Sequence, residues 1–538
     1  MATTNRDAKG VLHRRPGERP PVAVNLDDVG RQLRREGVRA HRIRRASRIR
    51  RGAGAPLVFA LLSGCALNTD ISKPEVKLPA AYEAGELPGA HRLSAQALDR
   101  WWDLFDDAQL TQLIDQALAA SPDAKSALGR LREARATYRK DVVGLLPQGD
   151  ITGKANTEYV ATQYKNVSDP QITQFLGSFS GAGSNQAYSG GVDVTWELDV
   201  FGRDITAIRA AKNDLAAQRF DYEATRMSLA ASVATALFQA RGAAIQLEDA
   251  RENVRIAREL FMVGKSKADR GLATSADASR LEADALSGDA QVAQSEALLK
   301  AQQRALLVLI GRGGDPSTSL PIEARAAPPP AAPTTAPGEL LVRRPDVREA
   351  EANLRSAAGR LKLDKLALLP TFTLQPSYQY MRQVQPGYTT ITQNSAAGVG
   401  VTVPFLSAPK LLEEIRAQGA RGDQAAATYE KAVQTAYGDA EKSLVTLEAD
   451  EVRVGLLAKA TAKSRFAYDA AREGYDLGLT DLTTLVQAEQ GWRTTRTTYT
   501  TATTAALVDA VSTFKALGGG WPAMDAGQAD ARANGMKP

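Results

Sequence analysis

The chain has 538 residues, 43% of them apolar and only 6% aromatic, with a formal net charge of +6. A basic balance suggests nucleic acid or anionic lipid only where the charge lies on the folded part; here residues 1–51 hold 15 basic against 5 acidic side chains, net +10, and everything after them carries −4. With His13 and His41 in that leader, His91 the one histidine beyond it and Cys65 the only cysteine, no histidine triad, cysteine nucleophile or zinc cluster assembles. A paired-carboxylate hydrolase is formally left, without the aromatic cleft it would use, so the composition speaks against an enzyme and against a nucleic-acid partner.

The basic block runs into the apolar stretch Ala55–Leu62, then Ser63, Gly64 and Cys65. Arginines hold one end in the cytoplasm, the apolar run inserts, and small residues before the cysteine admit a peptidase, which is the order of a signal peptide with a lipobox. The run is too short to span a membrane permanently. Resemblance to bacterial lipoproteins implies that Cys65 becomes an acylated N-terminus, with the two or more chains that stable anchoring needs, and that Ala66 after it directs the protein to the outer membrane. The leader is longer than such signals require, and residues 1 to about 37 are expected to be untranslated, with a start near Val38, or unstructured. A twin-arginine signal is the other reading, but the apolar positions expected after the arginine pair are missing.

Beyond the anchored segment 65–100, the chain repeats itself, and a long-period repeat fixes architecture before any local reading does. Leu131–Pro147 returns as Leu354–Pro370, an offset of 223; from Gly191 and Gly398 onward the offset is 207, kept through Tyr222 and Tyr429 to Gly271 and Gly478. The first half therefore carries extra residues between Pro147 and Gly191. This divides the chain into repeat 1 at 101–312, a Pro/Ala-rich linker at 313–340 that cannot sustain a helix, repeat 2 at 341–517, and a tail at 518–538.

Each repeat opens with short helices, among them one starting near Asp106 and one with Ser121 as N-cap and Pro122 behind it. A β-hairpin follows, about 148–201 in the first and 371–406 in the second. Val192, Val194, Trp196 and Leu198 alternate with Asp193, Thr195, Glu197 and Asp199, and Val399, Val401, Val403 and Phe405 repeat the theme. Segments of about ten residues with one apolar and one polar face suit a transmembrane barrel wall, although a half-buried soluble sheet alternates identically. Four strands leave open edges that hydrocarbon does not tolerate, so one chain cannot close a barrel, two give about eight strands with little lumen, and three give about twelve.

Long helical hairpins come next, about 205–312 and 410–517. Some sixty proline-free residues make roughly 90 Å of helix, then a Gly-Leu pair, Gly271-Leu272 or Gly478-Leu479, turns the chain into a second helix. The threonine-rich Arg493–Val508 favours strand by propensity. It is read as helix because it continues the hairpin and a threonine hydroxyl can bond back one turn.

The segments WWDLFDDAQLTQLIDQAL, WELDVFGR, LLVRRPDVREAEANL and FKALGGGW, in this order between Trp101 and Trp521, resemble the TolC-like outer-membrane efflux family, in its OprM/NodT lipoprotein branch. The resemblance implies an α+β membrane protein: a homotrimer with a twelve-stranded barrel, four strands per chain, continued by a twelve-helix periplasmic tunnel with an equatorial belt. It implies partners as well, a periplasmic adaptor docking at the tips around Gly271, Leu272, Gly478 and Leu479, and an inner-membrane pump of the resistance-nodulation-division class, with drugs, dyes or metabolites as cargo and no cofactor besides the lipid on Cys65. Position by position it puts Asp277 on an aspartate of the closing links at the tunnel entrance and Tyr475 on a tyrosine that can bond it. Where relatives often carry acidic residues at the entrance this chain has Thr484 and Gln487, and a basic linking position is Thr480, so a strong acidic ring is not expected. A channel for protein secretion and a lipid-anchored coiled-coil scaffold are the competing classes, the latter leaving the alternating segments without a role.

Overall fold

The computed structural model describes residues 71–83, 98–162, 168–177, 181–330, 337–385 and 388–520. Cys65, the signal peptide, His91 and the last eighteen residues lie outside them. The chain is mostly helical, with one four-stranded sheet. Short helices α1 (Ala108–Ala120) and α2 (Pro122–Val143) lead to β1 (Gln148–Thr162), α3 (Pro170–Gly177) and β2 (Gly181–Leu198), then to α4 (Arg203–Asp269) and α5 (Ser275–Leu309). After the linker come α6 (Leu340–Arg343), α7 (Pro345–Leu366), β3 (Thr371–Gln385), β4 (Tyr388–Thr402), α8 (Ala408–Asp476) and α9 (Leu482–Ala516).

The two β-hairpins join into one antiparallel sheet in the order β1-β2-β3-β4. Register keeps the alternation in phase across all four strands. Ile151 pairs with Val192 and Val192 with Tyr378, while Trp196 meets Leu374, which meets Val399, and Phe372 lies between Leu198 and Val401. The opposite face carries Asp150, Asp193 and Ser377 in one row and Glu197, Thr373 and Gly400 in another. A one-residue slip would exchange the faces, so the shared register is what makes one side apolar and the other polar. The strands run 15 to 18 residues, longer than the ten or so expected. The extra length of the first half lies between β1 and β2, at 163–180 against 386–387 in the second, and includes α3, a helix the alternation did not announce. β4 stops at Thr402, so Val403 and Phe405 are not strand residues: Pro404 has no amide for the ladder. Both are exposed beyond the sheet.

The long helices α4 and α8 have 67 and 69 residues, roughly 100 Å each. α4 packs on α5 along one side and on α9 along the other, and α9 packs on α8. α2 and α7 lie against α4 beyond the ends of α5 and α9, and α7 also meets α8. The helices thus form a palisade in the order α5, α4, α9, α8, with α5 at one flank and α8, which also carries α7, at the other. α8 has a second apolar seam on its free side, with Val445, Val452, Leu456 and Phe466 all exposed. The free side of α5 has mostly small residues, Ala283, Ser287, Ala290, Ala297 and Ala301, with Leu286 among them, all exposed.

A belt crosses one face of the palisade. Trp101, Leu110 and Ile114 pack against Leu237 and Phe238 of α4, Leu306 of α5 and Leu507 and Phe514 of α9, and Trp101 stacks on Phe514 with centroids 5.7 Å apart. Full burial of such side chains contributes about 1.5–3 kcal/mol each. The linker is tied to this belt through the Gln109 and Gln303 amides, which donate to the carbonyls of Pro321 and Leu320. Residues 71–83 form a strap along α7 and α8. Lys73 bonds Glu351 at 2.7 Å, Tyr82 stacks on Tyr437, and Ile71 occupies the place where a Cβ on Gly422 would stand, 1.9 Å from its Cδ1.

Candidate functional site

The palisade ends, away from the sheet, in two tips that turn by the same device. At the end of α4 the Leu272 amide donates to the Lys267 carbonyl (2.8 Å) and Gly271 to Ala268; at the end of α8 Leu479 donates to Gly474 (2.7 Å) and Gly478 to Tyr475. Both glycines have φ near +70°, a left-handed conformation that costs a side chain with a Cβ, and the paired bonds satisfy the last carbonyls of each helix. Leu272 and Leu479 then project 74% and 78% exposed.

The returning helices are capped differently. The Thr274 hydroxyl accepts from the Asp277 amide while the Asp277 carboxylate accepts from the Thr274 hydroxyl at 2.7 Å, a reciprocal cap. At the second tip the Asp481 carboxylate accepts from the Thr484 amide at 2.7 Å, which holds that acid below its usual range. Asp277 therefore works within its own turn, and inside one chain it does not meet Tyr475. Tyr475 packs in the second tip with Tyr468, Leu485 and Trp492, and the Lys267 ammonium lies over its ring at 3.9 Å. Thr484 and Gln487 are exposed on the first turns of α9, and the Thr480 hydroxyl bonds back to the Ala471 carbonyl.

Behind the tips lies a charged interior that sequence reasoning missed. Arg493 of α9 bridges Glu489 (2.6 Å) and Asp284 of α5 (3.1 Å), and Arg496 pairs with Asp249 of α4. Burial pushes Glu489 and Asp249 up, with Arg493 and Arg496 opposing. Nearer the belt, Arg241 holds Asp107; burial would raise that carboxyl, but Arg241 and the Leu110 amide outweigh it and keep it low. Arg344, within a segment singled out for its resemblance alone, gives its guanidinium to Asp346, Asp439 and the carbonyls of Ala436 and Ala516, joining α7, α8 and α9. A cation inside an alanine-rich run, as at Arg241, was the one available signal.

The face opposite the belt is polar, with hydroxyl and amide side chains predominating over charged ones. α9 turns Leu507 and Phe514 to the belt, so at 100° per residue Thr494, Thr498, Thr501 and Ser512 point away from it. Ser228, Ser232 and Gln239 of α4 stand on the same side by the same count. The threonine hydroxyls bond back to carbonyls four residues earlier, Thr494 to Gln490, Thr498 to Thr494 and Thr501 to Thr497, at 2.7–2.9 Å, which is how this run stays helical. Among the described residues no helix is long and apolar enough to cross a membrane, and no cluster of metal-ligating side chains occurs.

The family model described as outer membrane efflux protein matches residues 113–312 and 336–519. The pyoverdine export outer membrane protein OpmQ of Pseudomonas aeruginosa is 26% identical over 435 residues, 80% of this chain and 90% of that protein. The toluene efflux pump outer membrane protein TtgC of Pseudomonas putida is 25% identical over 472 residues, 86% and 94% of the two chains. Among solved structures, the outer-membrane channel OprN superposes with a TM-score of 0.69 at 25% identity, covering 84% of this chain and 99% of that one. The CmeC outer membrane channel of Campylobacter jejuni superposes with a TM-score of 0.74 at 20% identity, covering 87% and 98%. A sheet with one apolar and one polar face, two turned tips and a polar wall suit a conduit, and both matched blocks fall on this frame: the chain belongs to the outer membrane efflux protein family, as an outer-membrane channel subunit of an efflux pump.

Proposed function

We propose that three copies of this chain close into one duct, a twelve-stranded barrel in the outer membrane continued by twelve helices through the periplasm, built from two repeats per chain at 101–312 and 341–517. The observation that carries this reading is the sheet: four strands share one apolar and one polar face and end in two open edges, β1 and β4, and in hydrocarbon only closure removes such edges. The helical flanks support it. The large side chains on the free side of α8 and the small ones on the free side of α5 are complementary, and a head-to-tail contact between unlike faces generates a ring.

In this duct nothing is catalysed. An inner-membrane pump of the resistance-nodulation-division class and a periplasmic adaptor deliver small molecules, of the kind that the relatives' names attach to pyoverdine and toluene, and the adaptor docks at Gly271-Leu272 and Gly478-Leu479. The acyl chains on Cys65 fasten each copy to the lipid leaflet. The entrance is gated where unlike flanks meet: Asp277 starts the α5 flank of one copy and Tyr475 ends the α8 flank of the next, with neutral Thr484 and Gln487 beside them.

Purified from outer membranes, the protein should run as a heat-dissociable trimer on a detergent gel and open discrete conductances in planar bilayers, and deleting its gene should raise dye and drug accumulation. A monomer without conductance would overturn the duct in favour of a scaffold. A conducting trimer whose loss stops export of a protein and leaves small-molecule efflux intact would overturn the cargo.

A further inference from the structure

We propose that the Asp450–Asp509 carboxyl pair is a proton-operated charge station in the inner wall of the duct, setting the preference between cations and anions at the level of the belt. The proposal rests on the three-chain duct and adds to it a function for two residues that no closing link uses.

Asp509 lies on the face of α9 turned from the belt, two residues from both Leu507 and Val511, which pack on it. It interrupts the run of hydroxyl and amide side chains along that wall. Behind it, Asp450 of α8 is only 8% exposed, and its Oδ2 has no hydrogen-bond partner. Across the seam between α8 and α9 the Thr513 hydroxyl bonds the Ser443 carbonyl and Leu447 packs with Ala510, which stands Asp450 one turn further on, beside Asp509. Ionised carboxylates only accept, so the two can bond only while the pair holds one proton, and two adjacent anions repel. Burial, with the hydrogen bond and charge of Asp450 added, pushes Asp509 up to about 6.

Asp509 borders a cavity of about 650 Å³ among α4, α7, α8 and α9. Its charged groups are few. α4 brings Ala224, Met227 and Ser228, none of which titrates; the start of α7 brings Arg344 and Asp346; α8 brings Asp439 and Lys442; α9 brings Lys515. Arg344 is engaged by Asp346 and Asp439, and Lys515 reaches Ser228 at 3.3 Å. While the pair keeps its proton these charges cancel. Losing it leaves one uncompensated negative charge per chain, three around the duct, on a wall where hydroxyl and amide side chains predominate, and a ring of carboxylates favours cations.

The test is the reversal potential of the full-length channel in planar bilayers under a KCl gradient. Between about pH 5 and about pH 7.5, a window that brackets the raised carboxyl, the cation-to-anion permeability ratio of the native channel should rise about twofold or more. In Asp509→Asn no second carboxyl is left to share the proton, and the ratio should stay flat; Asp450→Asn should do the same. Both substitutions relieve repulsion at neutral pH, so assembly is expected, and Asp509→Ser replaces either one that fails to assemble. A pH step of native size in these variants would overturn the proposal, as would a native channel with no step. Absence of any conductance in the native protein would instead overturn the duct.

Discussion

The two helical hairpins are nearly equal in length, 67 and 35 residues against 69 and 35, and reverse through the same glycine turn, yet they are closed by opposite means. The first closes by absence of side chains: Leu281 fills the space above Gly264 and Val254 that above Gly288. The second closes by bulk, with Trp492 stacked on Tyr468 at 5.2 Å and the Arg465 guanidinium over the same ring at 4.5 Å. Equal lengths follow from where the glycines and caps stand along the chain. What fills the seam between two helices is a separate choice, constrained only by total volume.

The sharpest way to break the comparison is Trp492→Ala. The ring is 3% exposed, and truncating a buried aromatic costs about 3–5 kcal/mol. Hydrogen exchange should accelerate along α8 and α9 while α4 and α5 keep their protection; equal acceleration in both hairpins would mean that the palisade melts as one unit. A smaller effect should be symmetric. Gly271→Ala and Gly478→Ala each force a Cβ into the left-handed region at about 1–2 kcal/mol, and nothing lies within 4 Å of either added atom, so backbone strain is the whole cost. The two thermal shifts should agree. A large difference would show that one tip bears on a neighbour.

Legibility in the sequence followed the range of the signal. The period of two in Val192–Leu198 and the sixty-residue proline-free runs were read correctly, because each is written in neighbouring residues. So was the threonine run, once its hydroxyls had a carbonyl to bond. α3 was not, since eight residues beginning at Pro170 carry too few turns to show a period. Asp277 stands three residues after Thr274, the spacing of a capping box, so its local bond is legible in the sequence beside the entrance role that the resemblance implies. Asp450 and Asp509 lie far apart in sequence with no shared pattern, and only the pairing of α8 with α9 brings them together. Arg344 was visible as a motif without a partner for the same reason.

The smallest expected effect concerns the caps, where the two tips differ by one ionisable group in the N-cap position: Thr274 at the first, Asp481 at the second. The Thr484 amide holds the Asp481 carboxyl below its usual value. An acid whose folded-state value is depressed contributes stability in full above its unfolded value, near 3.9, and loses it as pH falls through the lower, folded one. Protection of the Thr484 and Leu485 amides, corrected for intrinsic exchange, should therefore hold from neutral pH down to about pH 4 and decline below it. Asp481→Asn should leave neutral-pH protection nearly unchanged, because asparagine caps about as well as aspartate, and should abolish the decline. If the variant declines in parallel with the native protein, the acid sensitivity of the tip belongs to another group and the Asp481 cap is not its source.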